Sequence, residues 1–137
     1  MKINWKRIVI AAIWSELLLF AIYFLAVRYV APVNGIAIGG TIILLNWFGM
    51  SFLGGLWVTR KIKSRFVLHG VLVGIVISIL FFPLMPIAYG QQAITFQVWI
   101  AILLSDALKI LGSTLGAYVG GMRRKILLSA QTAKSPN

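Results

Sequence analysis

Four polar side chains, Glu16, Asn46, Asp106 and Lys109, stand inside long apolar runs. Glu16 and Asp106 are the only two carboxylates in 137 residues, and Lys109 follows Asp106 by three positions. A carboxylate held in an apolar run can take up and release a proton. A lysine three positions along the same helix can pair with a carboxylate and cancel its charge. Two kinds of chemistry are therefore open: proton exchange on an intramembrane carboxyl group, or a neutralised cluster that sets helix register.

Other chemistries fall on counting. There is no Cys, hence no disulfide framework, iron–sulfur cluster or thiolate metal site. The single His excludes a bis-His haem within one chain. Two acidic residues are too few for a hard-cation cage, and no glycine-rich phosphate loop is present. Ser105 and Asp106 are neighbours that project about 100° apart on a helix, which is no nucleophile–base pair. The expectation is a non-enzymatic protein with no cofactor and no metal.

These residues need elements to position them. Apolar residues make up 61 % of the chain and charged residues 11 %. Mean hydropathy is +0.98. Soluble domains are roughly 45–50 % apolar, and one this small could not hide the excess. Lipid is the natural solvent. Four apolar stretches are long enough to cross a bilayer, for which roughly 20 residues are needed: 8–30, 35–58, 66–83 and 94–122. The third ends or bends at Pro83 and Pro86. The short connections between them, including 31–34 and 59–65, make sequential spans pack antiparallel. The expected fold class is all-α: an integral membrane four-helix bundle over residues 1–128, followed by a polar, disordered tail over 129–137.

The net charge of +11 would suggest nucleic acid in a soluble protein. Here the basic residues flank the spans. Lys2, Lys6 and Arg7 precede the first, and Arg60, Lys61, Lys63 and Arg65 fill the second loop. Arg123, Arg124, Lys125 and Lys134 follow the fourth. Eleven of thirteen basic residues thus fall on one side, Arg28 lies on the other, and Lys109 is inside a span. By the positive-inside rule both termini face the cytoplasm, in the inner (plasma) membrane, with one orientation only. The loop and tail cations are expected to meet anionic lipid headgroups rather than nucleic acid. The first span is too long for a signal-peptide core and is expected to be retained. Trp14 and Trp47 lie deep in their spans and are expected to be packing residues.

Small residues form ridges. Gly112, Gly116 and Gly120 recur every four residues, beside a parallel row of Ser113, Ala117 and Gly121. Gly70, Gly74 and Ser78 repeat the spacing on the third span. Residues four apart stack on one helix face, so such ridges admit a second backbone closely. Contact between spans three and four is the expected use, with a homo-oligomer or a membrane-protein partner as the other. Spans two and four also end alike, in Gly54-Gly55 before Arg60-Lys61 and in Gly120-Gly121 before Arg123-Arg124-Lys125. This ending fits either a parallel duplication or any helix that leaves toward a basic surface. At 1.5 Å per residue, Glu16 sits about 13 Å from the basic edge, Asn46 and Lys109 about 21 Å, and Asp106 about 25 Å. A leaning Lys109 side chain could bridge part of the gap to Glu16.

A Glu in the first of four short spans resembles the small multidrug resistance transporters, which implies Glu16 as a coupling carboxylate. The chain departs from that family in its many basic loop residues and in residues 67–82, which lack the family's aromatic and glycine pattern. A closer likeness runs through Gly54-Gly55, Arg60, Leu68-His69-Gly70 and Gly74. This resembles a group of small four-span bacterial membrane proteins of unknown function. It implies a topology and singles out these residues for close packing and loop anchoring. The functional expectation is a polytopic membrane protein acting as a non-enzymatic accessory or self-associating subunit; the alternative is a small proton-coupled transporter using the intramembrane carboxylate.

Overall fold

The computed structural model describes residues 3–25, 28–29, 31–62, 64–82 and 96–133. These residues form four α-helices: α1 (Trp5–Leu25), α2 (Ala31–Val58), α3 (Phe66–Phe81) and α4 (Phe96–Ala133). A short 3₁₀ turn, Thr59–Lys61, closes α2. Pro83, Pro86, Tyr89 and the connection at 84–95 lie outside the described residues, as do Lys2, Lys63 and Lys134.

Two boundaries differ from expectation. The sequence predicts a connection at residues 31–34, but they form the first turn of α2. Pro32 fits there because the amides of a first turn have no helical partner to lose. The fourth helix passes the expected end at Met122 and runs through the basic cluster to Ala133, so residues 129–133 are helical rather than a disordered tail. Hydropathy marks where apolar side chains stop. The hydrogen-bond ladder continues as long as good helix formers such as Arg, Lys, Leu and Ala follow.

Three stretches, Trp5–Leu25, Thr41–Val58 and Val98–Leu127, are long and apolar enough to cross a membrane. Helix α3 is apolar and shorter, with 16 residues. Large apolar side chains such as Leu17, Phe24, Leu45, Leu103 and Leu111 point outward from the bundle. A surface this apolar is compatible with lipid.

Helix α4 packs mainly on α2 and α3, and α1 packs on the same two helices, whereas α1 and α4 barely touch. They therefore occupy opposite corners of the bundle. The core is in two parts. Ile8, Ala11, Ala12, Val58, Ile62, Val73 and Ile77 form the larger cluster. Phe81 and Ile102, with Phe20 and Val98 against them, form the smaller.

Glycines decide how closely the helices approach. On α4, a Cβ at Gly112 or Gly116 would strike the backbone of α2 at Phe48 or Phe52, and one at Gly120 would strike Thr59. The adjacent row meets α3: Gly70 lies against Ser113 and Ala117, and Gly74 against Ile110 and Ser113. The expected contact of spans three and four is present, but the Gly112–Gly116–Gly120 ridge is taken by span two. Each double glycine is shared between two neighbours. Gly54 faces Ser15 of α1 and Gly55 faces Ser113 of α4, while Gly120 faces Thr59 and Gly121 faces Phe66. Consecutive positions without side chains let one helix approach two others closely.

Candidate functional site

The candidate site lies between the two core clusters. Glu16 stands on α1 between Ala12 and Phe20, and Lys109 stands on α4 one turn after Ser105. Lys109 is 0 % exposed and Glu16 5 %. The Lys109 ammonium lies 3.8 Å from Asp106 Oδ1. Its other neighbour is the Phe81 ring on α3, with the centroid at 3.8 Å. A desolvated ammonium over an aromatic face gains about 2 kcal/mol. Lys109 thus receives a carboxylate from its own helix and a π face from the next.

Among the described residues neither oxygen of Glu16 has a hydrogen-bond partner, and Lys109 Nζ and Asp106 Oδ1 have none either, so the 3.8 Å pair is held by charge alone. Glu16 shares an electrostatic environment with Lys109 and Asp106. Yet the ion pair formed is the local one between Lys109 and Asp106. The physical reason is the diagonal placement of α1 and α4. Neighbouring helix axes lie 8–10 Å apart, so the diagonal of a square bundle is about 13 Å. Two side chains can reach toward each other over that distance without direct contact.

Asn46, on α2, is 5 % exposed. Its Nδ2 donates to the Leu19 carbonyl oxygen on α1 at 2.9 Å, one turn beyond Glu16. Its Oδ1 is buried without a hydrogen-bond partner, as are the hydroxyl oxygens of Ser51, Ser78 and Thr114. Asn46 therefore ties α2 to α1 beside the charged group. Ser105 Oγ donates to the Ile102 carbonyl oxygen at 2.8 Å, and Ser113 Oγ donates to Ile110 at 3.1 Å. Both hydroxyls satisfy themselves on their own helix.

The basic end is also ordered by specific bonds. Arg124 on α4 donates through Nη1 to the carbonyl oxygens of Ile62, at 2.5 Å, and Thr59, at 3.3 Å. The sequence predicts anionic lipid as the partner of Arg124; the structure ties its Nη1 to the carbonyl oxygens of the turn that closes α2. Arg60, Arg65, Arg123 and Lys125 remain exposed. His69 is buried, with Nδ1 2.9 Å from the Arg65 carbonyl oxygen. The Asn4 amide donates to His69 Nε2 at 3.5 Å. This pairing puts the ring hydrogen on Nδ1. Asn4 in turn caps α1, accepting from the Arg7 amide at Oδ1, 3.3 Å. Arg65 holds φ at 56°, the left-handed region, and the His69 bond steadies that strained turn.

Reading the sequence missed three participants. Phe81 is the most telling, and a signal existed: Gly70, Val73, Gly74, Ile77 and Phe81 continue one buried helical face. Asn4 and Ser15 carried no signal beyond their polarity. Trp14, expected to pack in the interior, is instead 61 % exposed and lines a groove between α1 and α2. Its ring is the wrong size for a face on which Ala11, Ala12 and Ser15 admit close neighbours.

Among the described residues no group of three His, Cys, Asp or Glu side chains is gathered. In comparisons with known proteins, the chain matches no family model, no curated protein and no solved structure.

Proposed function

We propose that this chain is a multi-pass protein of the inner (plasma) membrane with both termini cytoplasmic, working as a small proton-coupled transporter with Glu16 as its protonation site. The observation that carries this reading is a charge count around one buried ammonium. Two carboxylates share one ammonium, and the ammonium is paired with Asp106. With Glu16 protonated the triad is neutral. With Glu16 ionised it carries one uncompensated negative charge, which costs about 3 kcal/mol at the centre of a bilayer. Glu16 is thus the member whose proton comes and goes, while Asp106 and Lys109 set the field it feels. The orientation rests on the basic residues gathered at one end of the bundle.

A non-enzymatic accessory subunit is the second reading, with the triad as a register lock. The close seams that join α4 to both α2 and α3 favour it, since they make the bundle rigid. Those seams occupy the glycine ridges, so self-association would have to use another face.

Glu16→Gln separates the two. Reconstituted in proteoliposomes under a potassium diffusion potential, the wild-type protein should take up protons faster than empty vesicles. Glu16→Gln should fold normally and lose that flux. Unchanged flux in the folded variant refutes the transport reading. Wild-type flux equal to that of empty vesicles, with lost folding or assembly of the variant, favours the accessory reading.

A further inference from the structure

The end of α2 carries charge that the chain itself cannot neutralise. A notch of about 260 Å³ between α2 and α4 is lined by Thr59, Arg60, Gly120, Arg123 and Arg124, together with Leu56 and Leu127. Both carboxylates of the chain, Glu16 and Asp106, belong to the interior triad. Among the described residues neither carboxylate pairs with these three guanidinium groups, which stay open to an anion from outside. Arg124 is pinned to the carbonyls of Ile62 and Thr59, so its position is preset. Arg60 and Arg123 are exposed on either side of it. Guanidinium forks suit phosphate oxygens because two N–H donors match two acceptors.

Arg60 also closes a second, apolar groove. This one, about 300 Å³, runs between α1 and α2 and is lined by Trp14, Leu18, Leu53, Leu56 and Trp57, with Gly54 in its floor. From Arg60 to Leu53 it extends for about 10 Å. Its floor is narrow because Gly54 lets Ser15 lie against the α2 backbone. The Arg7 guanidinium stands 5.8 Å above the Trp57 ring at the same end. Leu56 and Arg60 border both spaces, so a charged notch and an apolar groove meet at one corner.

We propose that one anionic phospholipid binds at this corner, with its phosphate between Arg60 and Arg123 and the first part of an acyl chain in the groove beside Trp14 and Leu53. The proposal needs the chain to sit in a bilayer and does not depend on proton transport. A second basic notch, lined by Arg65, Phe66, Val67, Tyr118 and Lys125, lies between α3 and α4. It has two cations rather than three guanidinium groups, and it serves as an internal control.

Native mass spectrometry of the detergent-purified protein, titrated with phosphatidylglycerol or phosphatidylcholine, tests the site. The wild type should retain one phosphatidylglycerol at concentrations where phosphatidylcholine is not retained. Arg60→Gln with Arg123→Gln should weaken retention about thirtyfold. Arg65→Gln with Lys125→Gln should change it less than about twofold, within the range of exposed charges distant from the ligand. Equal loss in both double variants would mean diffuse attraction and overturn the site, as would equal retention of the two lipids. Displacement by inorganic phosphate at matched concentration would make it a site for a free anion and also overturn the proposal. For the groove, brominated-chain phosphatidylglycerol should quench tryptophan fluorescence in the wild type and markedly less in Trp14→Phe, with Trp99→Phe, in the first turn of α4 and outside the groove, behaving as wild type. Equal quenching in Trp14→Phe and Trp99→Phe would remove the acyl chain from the groove.

Discussion

The Lys109 ammonium lies 3.8 Å from the centroid of the Phe81 ring, on a helix that meets α4 through glycines. Two elements therefore share the burden of one buried cation. Phe81 belongs to the apolar cluster with Ile102, so the ring is held in place by packing on its other side. The arrangement makes the charge dependent on helix register: a slide of one residue in α3 would remove the ring.

Truncating the cation should cost more than removing the pair. Lys109→Met leaves Asp106 Oδ1 buried without a counter-charge, for a loss of about 3 kcal/mol. Lys109→Met with Asp106→Asn should recover most of it. Phe81→Leu keeps apolar volume and should cost about 1–2 kcal/mol through the lost ring contact and the space left. Unfolding in mixed detergent micelles, followed by circular dichroism, measures all three.

The glycine seams predict a graded series. Gly116→Leu places atoms where the Phe52 carbonyl lies, and the backbone cannot yield cheaply. It should destabilise the bundle by about 3 kcal/mol or more, at the upper end of overpacking. A Cβ at Gly49 would meet nothing within 4 Å, so Gly49→Ala should stay within about 0.5 kcal/mol of wild type. The same unfolding assay reads both. Equal effects at the two positions would refute the packing of α4 on α2.

Asn46→Leu removes the bond that its amide donates to the Leu19 carbonyl oxygen. A single hydrogen bond between membrane helices contributes about 1 kcal/mol, and that is the expected loss. Hydrogen exchange should rise near residue 19 of α1 and stay unchanged near residue 12, since the bond anchors only the deeper half of that helix.

Arg124 and Arg123 should behave oppositely despite being neighbours. Arg124→Gln removes the donor to Ile62 and Thr59, so amide exchange across residues 59–62 should accelerate about tenfold, corresponding to roughly 1.4 kcal/mol. Arg123→Gln should leave that exchange as it is. His69→Phe, which keeps a ring but cannot accept from the Asn4 amide, should accelerate exchange over residues 4–8 at the start of α1.

The apolar excess, the four helices and the candidate charged residues were all legible in the amino-acid sequence, because each depends on composition or on spacing along one helix. The pairing of Lys109 with Asp106 was legible for the same reason: residues three apart on a helix are neighbours in any fold. Small-residue ridges were legible as contact surfaces, but not their partners. Which helix a ridge meets depends on the arrangement of four cylinders, and local spacing does not encode it. The tertiary structure gave the Gly112 ridge to α2 and the Ser113 row to α3. It also put α1 and α4 at opposite corners. That diagonal keeps Glu16 out of contact with Lys109, while the packing of α4 on α3 and α2 brings Phe81 to the ammonium and lets Arg124 clasp the end of α2. Depth along a helix follows from counting residues; direction around the bundle axis follows only from which neighbours the helices choose, and the chemistry of this site depends on direction.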